Sequence, residues 1–274
     1  MSEYNVTWTT PSGSARDSMP LGNGDIALNA WVEENGDLLF YIAKIDSWDE
    51  NSRLLKVGKV RVSLNPKPQL SSFEQTLNLD DGSMQVRLND HLHFQLWVDA
   101  NHPAIVVEVD SAHPIEAVAT IELWRTERTT LPSIEISDIW FDQSFPNNQR
   151  EPTIVEPDTV LTEQANRVGW YHHNTRSLGP ALMSKLQGLD GFKRDDPIIN
   201  RTFGAVIQAE NGVKVDDLRL QCPAAKTHRI EITVLTQHPS IPEQWLSAID
   251  AAITAAHQTS FDQRRTAHNQ WWLD

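Results

Sequence analysis

The run Met19-Pro20-Leu21-Gly22-Asn23-Gly24-Asp25-Ile26-Ala27-Leu28-Asn29-Ala30-Trp31 places a tight turn dipeptide, Asn23-Gly24, ahead of alternating strand residues. Glycine takes positive φ without steric cost and asparagine tolerates it, so the chain reverses direction there. Ile26, Leu28 and Ala30 alternate with Ala27, Asn29 and Trp31, and beyond Glu34-Asn35-Gly36-Asp37 the run Leu38-Leu39-Phe40-Tyr41-Ile42 returns. This is a β-hairpin signal with suitable turn chemistry, and it commits the first part of the chain to antiparallel pairing.

The remainder repeats the pattern. Val60, Val62 and Leu64 alternate, Asp81-Gly82 separates the strand-like runs 76–80 and 83–88, and Leu92, Phe94, Leu96 and Val98 form one face opposite His91, His93, Gln95 and Trp97. Further runs follow at 104–109, 115–124, 203–209, 218–222 and 230–236. Many short strands separated by Gly, Pro, Asn and Asp predict a mainly β, antiparallel, sheet-on-sheet fold over residues 1–239. At 274 residues the chain can bury a sizeable core in one such domain. Two stretches break the rhythm: 127–157, with Pro132, Pro146, Pro152 and Pro157, and 177–197, whose leucines lack a strand period. Ordering loops of this length costs conformational entropy, so they are expected to serve as lid-like loops or short helices over one end of the sandwich, the alternative being mobile excursions.

The C-terminal piece, 240–274, reads as helix. Ser240-Ile241-Pro242-Glu243 has capping-box spacing with proline in the first turn. Beyond it Trp245, Ile249, Ile253, Ala256, Ser260, Phe261 and Arg264 recur at helical spacing, without Gly or Pro through Asp274. One helix of about 50 Å is expected. It ends on Trp271-Trp272 without a C-cap, and paired tryptophans are rarely left in water. The expectation is a linker helix running on toward a further domain. The alternatives are a tail folded back on its own sandwich or packed in a homodimer.

Charge and composition narrow the partners. A formal net charge of −14 disfavours the phosphate contacts that dominate nucleic-acid affinity. No apolar run approaches the roughly 20 residues a membrane helix needs, and Met1-Ser2-Glu3-Tyr4 does not open a signal peptide. No nucleic acid and no membrane are expected as partners. Cys222 is the sole cysteine and sits in a strand-like run, which reads as a buried, inert thiol. His91 and His93 could share a metal by spacing, but no ligand set completes them, so no metal and no cofactor are expected. No Walker, H-E-x-x-H or G-x-S-x-G pattern occurs.

Two constellations suit sugar chemistry. After the hairpin, Lys44-Ile45-Asp46-Ser47-Trp48-Asp49-Glu50-Asn51 groups Asp46, Trp48, Asp49, Glu50 and Asn51 outside any apolar pattern. An indole face can stack on a pyranose while acids and amides bond its hydroxyls. The other reading of this loop is a solvated turn capped by its own acids. In Gly169-Trp170-Tyr171-His172-His173-Asn174, alternation sends Trp170, His172 and Asn174 to one face, which could line a groove or pack at a strand end. Arg201 is expected to act as scaffolding by forking onto a carboxylate of the 46–50 loop.

These residues also carry a resemblance. Trp8, Pro11 and Ser12, the run from Met19 to Asn51, residues 169–174 and the run Asp196-Pro197-Ile198-Ile199-Asn200-Arg201-Thr202-Phe203-Gly204 resemble the N-terminal domain of a largely uncharacterised bacterial group. That group is related to glycoside hydrolase family 95 and its α-L-fucosidases. The resemblance implies a large β-supersandwich, a helical linker and then an (α/α)6 barrel holding the catalytic carboxylates, as well as export to the periplasm or outside. No barrel residue is present, so no catalytic residue carries over. Glycoside hydrolysis needs two opposed carboxyls, and Asp46, Asp49 and Glu50 all come from one loop. The leading expectation is therefore a non-catalytic domain that braces the barrel and lends loop residues to a carbohydrate site. A self-sufficient carbohydrate-binding module and a free-standing enzyme are the other two readings.

Overall fold

A computed structural model describes residues 2–131, 153–189, 191 and 194–274. The strands are β1 (Val6–Trp8), β2 (Met19–Gly22), β3 (Ile26–Val32), β4 (Leu38–Trp48), β5 (Leu54–Asn65), β6 (Phe73–Asn78), β7 (Ser83–Leu88), β8 (Leu92–Val98) and β9 (Ala104–Glu122). They continue as β10 (Thr129–Thr130), β11 (Ile154–Val155), β12 (Thr159–Val160) and β13 (Arg167–His173), then helix α1 (Pro180–Leu186). The chain closes with β14 (Thr202–Ala209), β15 (Val213–Asp216), β16 (Arg219–Gln237), α2 (Pro242–His257) and α3 (Phe261–Leu273).

The turns fall where the sequence sets them. Gly24 has φ 91°, and the Asn23 side chain accepts from the N–H groups of Asp25 and Ile26 at 3.0 and 2.8 Å, so β2 returns directly as β3. The architecture rests on β9 and β16, each 19 residues long and antiparallel to one another. Residues 104–110 of β9 pair with β8 and with residues 227–233 of β16. Residues 116–122 pair with β5, while Cys222 to Arg219 of β16 follow Ala117 to Thr120. Both strands therefore bend from one layer into the other. One layer reads β1-β6-β7-β8-β9-β16-β14-β13-β12 and the second β2-β3-β4-β5-β9-β16-β15, all neighbours antiparallel. The sequence divides each long strand in two because residues around the bends are small, polar or proline and largely exposed, which hides the apolar period while the ladder continues.

Strand alternation fills the space between the layers. Phe40, Ile42, Val60 and Ile121 of the second layer meet Phe94, Val107, Ile207 and Ile232 of the first in one core. Cys222 lies buried there, its thiol pushed up to about 11 by desolvation.

The C-terminal segment differs from the single helix expected. α2 ends near His257, and Ser260 starts α3 anew: its hydroxyl accepts from the Gln263 N–H at 3.3 Å, and its own N–H donates to Gln263 Oε1 at 3.1 Å. That reciprocal box breaks the rod. The cap of α2 also sits one residue later than expected, with the Ile241 N–H donating to Gln244 Oε1 at 3.3 Å, while the Ser240 hydroxyl donates to Gln237.

Both helices lie on the outer face of the first layer. Trp245 and Ile249 of α2 pack with Leu161 and Val206, and Trp245 Nε1 donates to the Leu235 carbonyl at 3.0 Å. In α3, buried Arg264 donates through Nε to Asp99 at 3.0 Å and through Nη1 to Glu231 at 2.8 Å. Arg265 and His268 hold Asp81, and the Trp272 ring occupies the space where a Cβ on Gly82 (φ 56°) would stand. The tail thus folds back on its own sandwich. Strand β1 reaches the same hairpin from the other side, pairing with β6 while the Asn5 side chain accepts from the Leu79 N–H at 3.0 Å. Among the described residues no helix is long and apolar enough to cross a membrane.

Of the two long insertions, the first contributes the short pair β10–β11 and the second α1. Of the 127–157 insertion expected as a lid, residues 132–152, with Pro132, Pro146 and Pro152, lie outside the described residues.

Candidate functional site

The sequence-predicted residues converge on one end of the sandwich, around the β4–β5 turn and the end of β13. Asp49 seals the turn from within: its Oδ1 accepts from the N–H groups of Asn51 and Arg53 at 2.9 and 2.8 Å, and its Oδ2 pairs with Arg53 Nε at 3.0 Å. The Asn51 amide donates to the Ile154 carbonyl at 2.9 Å. Glu50 turns inward, where Oε1 accepts from the Glu156 N–H at 2.8 Å and Oε2 lies 3.0 Å from His172 Nε2. His172 Nδ1 lies 3.0 Å from Asp158 Oδ1, which also accepts from Arg125 Nε at 2.9 Å. Arg125 then donates to the carbonyls of Lys56 and Val57 at 3.0 and 3.2 Å.

Glu50, His172, Asp158 and Arg125 form a buried chain of alternating charge. Burial alone would drive the imidazole toward neutrality, but Asp158 and Glu50 on its two nitrogens raise its pKa to about 9. Burial likewise opposes ionisation of Glu50, and the hydrogen bond and charge of His172 outweigh it, leaving the carboxyl below its usual range. His172 therefore holds both protons at neutral pH and donates to both carboxylates. Its ring fills the space between Glu50 and Asp158, so these two acids cannot straddle a glycosidic bond.

This geometry corrects several expectations. Asp49, Glu50, Asn51, Trp170, His172 and Asn174 are all withdrawn from solvent. The turn N–H groups, the imidazole and the guanidinium need the acceptors that the sequence offered to a sugar. Trp170 is no stacking platform. It spans the gap between layers against Gly58, and its Nε1 donates to the Val57 carbonyl at 2.8 Å. Asn174 bridges the carbonyls of Trp48 and Ile198 at 2.9 and 3.1 Å. Arg201 reaches carbonyls rather than the carboxylate expected: Nη1 donates to Asp46 O at 3.0 Å, and Nε and Nη2 donate to Pro197 O.

Asp46 and Trp48 remain at the surface. Trp48 is 38% exposed, and Asp46 stands half-exposed on the same side of β4 by strand alternation. Lys44, itself buried, bridges Asp25 at 2.7 Å and Asp46 at 3.0 Å. The sequence reading missed Asp158, Arg125, Lys44 and Asp25. The first two lie far along the chain from Glu50, and only the meeting of β4, β9 and β13 brings them together. Lys44 and Asp25 carried a local signal, since β3–β4 pairing sets Ile26 opposite Lys44.

A search of curated proteins finds no match to the sequence. A solved structure assigned as a kojibiose phosphorylase from human microbiome is similar with a TM-score of 0.46 and 10% sequence identity, over 98% of this chain and 34% of that one. This chain spans about a third of that protein's length. A family model described as a domain of unknown function, the N-terminal DUF5703 domain, matches residues 7–274, and the chain belongs to that family.

Proposed function

We propose that this chain is the N-terminal sandwich domain of a glycoside-hydrolase-like enzyme, bracing a catalytic (α/α)6 barrel and presenting Asp46 and Trp48 to a carbohydrate site. The observation that carries this reading is the contrast within one loop. The backbone of Asp46 and Trp48 is clamped by Arg201 and Asn174, and the neighbouring acids are spent on the buried network. A half-exposed indole and a carboxylate are thereby held in fixed positions, which lowers the ordering cost of binding a sugar. The bracing role is supported by the surroundings. Ile45, Leu54, Ile199 and Ile241 are exposed at this end, joined through the contacts of Arg201, Asn174 and Ser240 with the 46–48 and 198–200 backbone. Clustered apolar side chains of this kind mark a surface that another domain covers.

The test is expression of the natural reading frame from Met1 onward. A few hundred further residues of paired helices, with activity on aryl glycosides whose KM rises about tenfold in Trp48→Ala, would support the proposal. A frame that stops at Asp274, or an enzyme indifferent to both Trp48→Ala and Asp46→Asn, would overturn it.

A further inference from the structure

The two outer faces of the sandwich differ. Helices α2 and α3 cover one, while β3 of the other layer is touched by the short 3-10 turn Ala15–Asp17. Register sets a row of side chains across that second face: Asn29 stands opposite Tyr41, Tyr41 opposite Lys59, and Lys59 opposite Glu122. All four alternate with core residues Leu28, Phe40, Val60 and Ile121, so they project outward together. Trp31 lies 5.4 Å from Tyr41 on its inner flank, and Trp124 meets Tyr41 edge-on at 5.8 Å and 78°. Trp124 is 48% exposed. Lys56 Nζ sits 5.3 Å from the Tyr41 centroid and donates to Asn29 Oδ1 at 3.0 Å, and Lys59 lies 5.8 Å from the same ring and pairs with Glu122 at 2.5 Å.

We propose that this face binds an oligosaccharide, with a pyranose ring stacked on Trp124 and Tyr41 forming the adjoining wall. The rings are not a continuous apolar surface, because Asn29, Lys56, Lys59 and Glu122 interleave with them. An apolar protein segment laid here would strip water from those groups and return no hydrogen bonds. A sugar matches both kinds of surface: its C–H face lies on the indole, and its hydroxyls donate to Glu122 and accept from the ammonium groups. Lys56 has no carboxylate partner among the described residues, so a uronate would complete its charge and a neutral sugar would meet it with a hydroxyl. Trp124 is also held in place, since Arg125, 5.3 Å from its ring, is tied inward to Asp158 and the Lys56 and Val57 carbonyls. This platform is separate from Asp46 and Trp48, farther along β4, and does not depend on the barrel.

Calorimetric titration of the 274-residue chain with cellotriose, maltotriose, xylotriose and tri-galacturonic acid tests the assignment. At least one should bind, and Trp124→Ala should weaken it about tenfold or more, with unchanged melting temperature, while Trp48→Ala leaves it intact. Tyr41→Leu provides a second variant whose fold is checked the same way. If tri-galacturonic acid is the ligand, Lys56→Ala should weaken it more than any neutral trisaccharide. Binding to none of the four overturns the proposal, as does binding that survives both Trp124→Ala and Tyr41→Leu. Binding lost in Trp48→Ala but kept in Trp124→Ala also overturns it, and leaves the loop reading of Asp46 and Trp48 standing.

Discussion

At His172 both ring nitrogens lie 3.0 Å from carboxylates, and the proton count of that ring sets how the sandwich end responds to pH. Its folded pKa, about 9, stands above the ordinary value of 6.5, so its stabilisation is complete below 6.5 and is lost as pH rises through about 9. Glu50 is depressed, so its contribution is present above its ordinary value of 4.5 and fades as pH falls. The urea midpoint should therefore be flat between about pH 4.5 and 6.5, fall from 6.5 to about 9 and level off above that, and this alkaline fall should disappear in His172→Ala. That variant also takes the charged partner from Glu50 and leaves Asp158 with Arg125 alone, and should cost about 3–5 kcal/mol at pH 7, read from the same denaturation curves. The sequence displays the chemistry of Glu50, His172 and Asn174 but not their direction. Acid, amide and imidazole serve a sugar or a buried turn equally well, and the partners that decide, Asp158 and Arg125, have no local pattern linking them to Glu50.

Elements were legible where one period governed them. The hairpins at Asn35-Gly36 and Asp81-Gly82, the strand 92–98 and the start of α2 all follow from alternation and turn chemistry. The long strands β9 and β16 were not, because exposed small, polar and proline residues interrupt the apolar period at their bends, and the break between α2 and α3 was masked by apolar spacing that runs through it. Ser260-x-x-Gln263 was nevertheless a visible capping signal inside that spacing. Ser260→Ala should destabilise the chain by about 1 kcal/mol in thermal or urea melts. Arg264→Ala leaves Asp99 buried beside a vacated site, and hydrogen exchange should then rise across 261–273 well before it rises across 242–257. Equal acceleration of both helices would show that they are held as one unit.

On the scale of the molecule, β9 and β16 belong to both layers, so neither layer can open while the other keeps its ladder. Unfolding followed by far-ultraviolet circular dichroism and by tryptophan fluorescence should give coincident transitions, and Trp170→Ala, which empties the space over Gly58, should shift both together by about 3–5 kcal/mol. Separate transitions would mean that the layers are independent. The hairpin joining β6 to β7 has a further consequence. Asn5 is fastened at Leu79 and Trp272 rests on Gly82, three residues on, which places the two anchor points within about 10 Å. One corner of the sandwich thus gathers residues 5 and 272, and a peptide joining them, with the chain opened instead at the exposed Glu34-Asn35 turn, should keep the same shape.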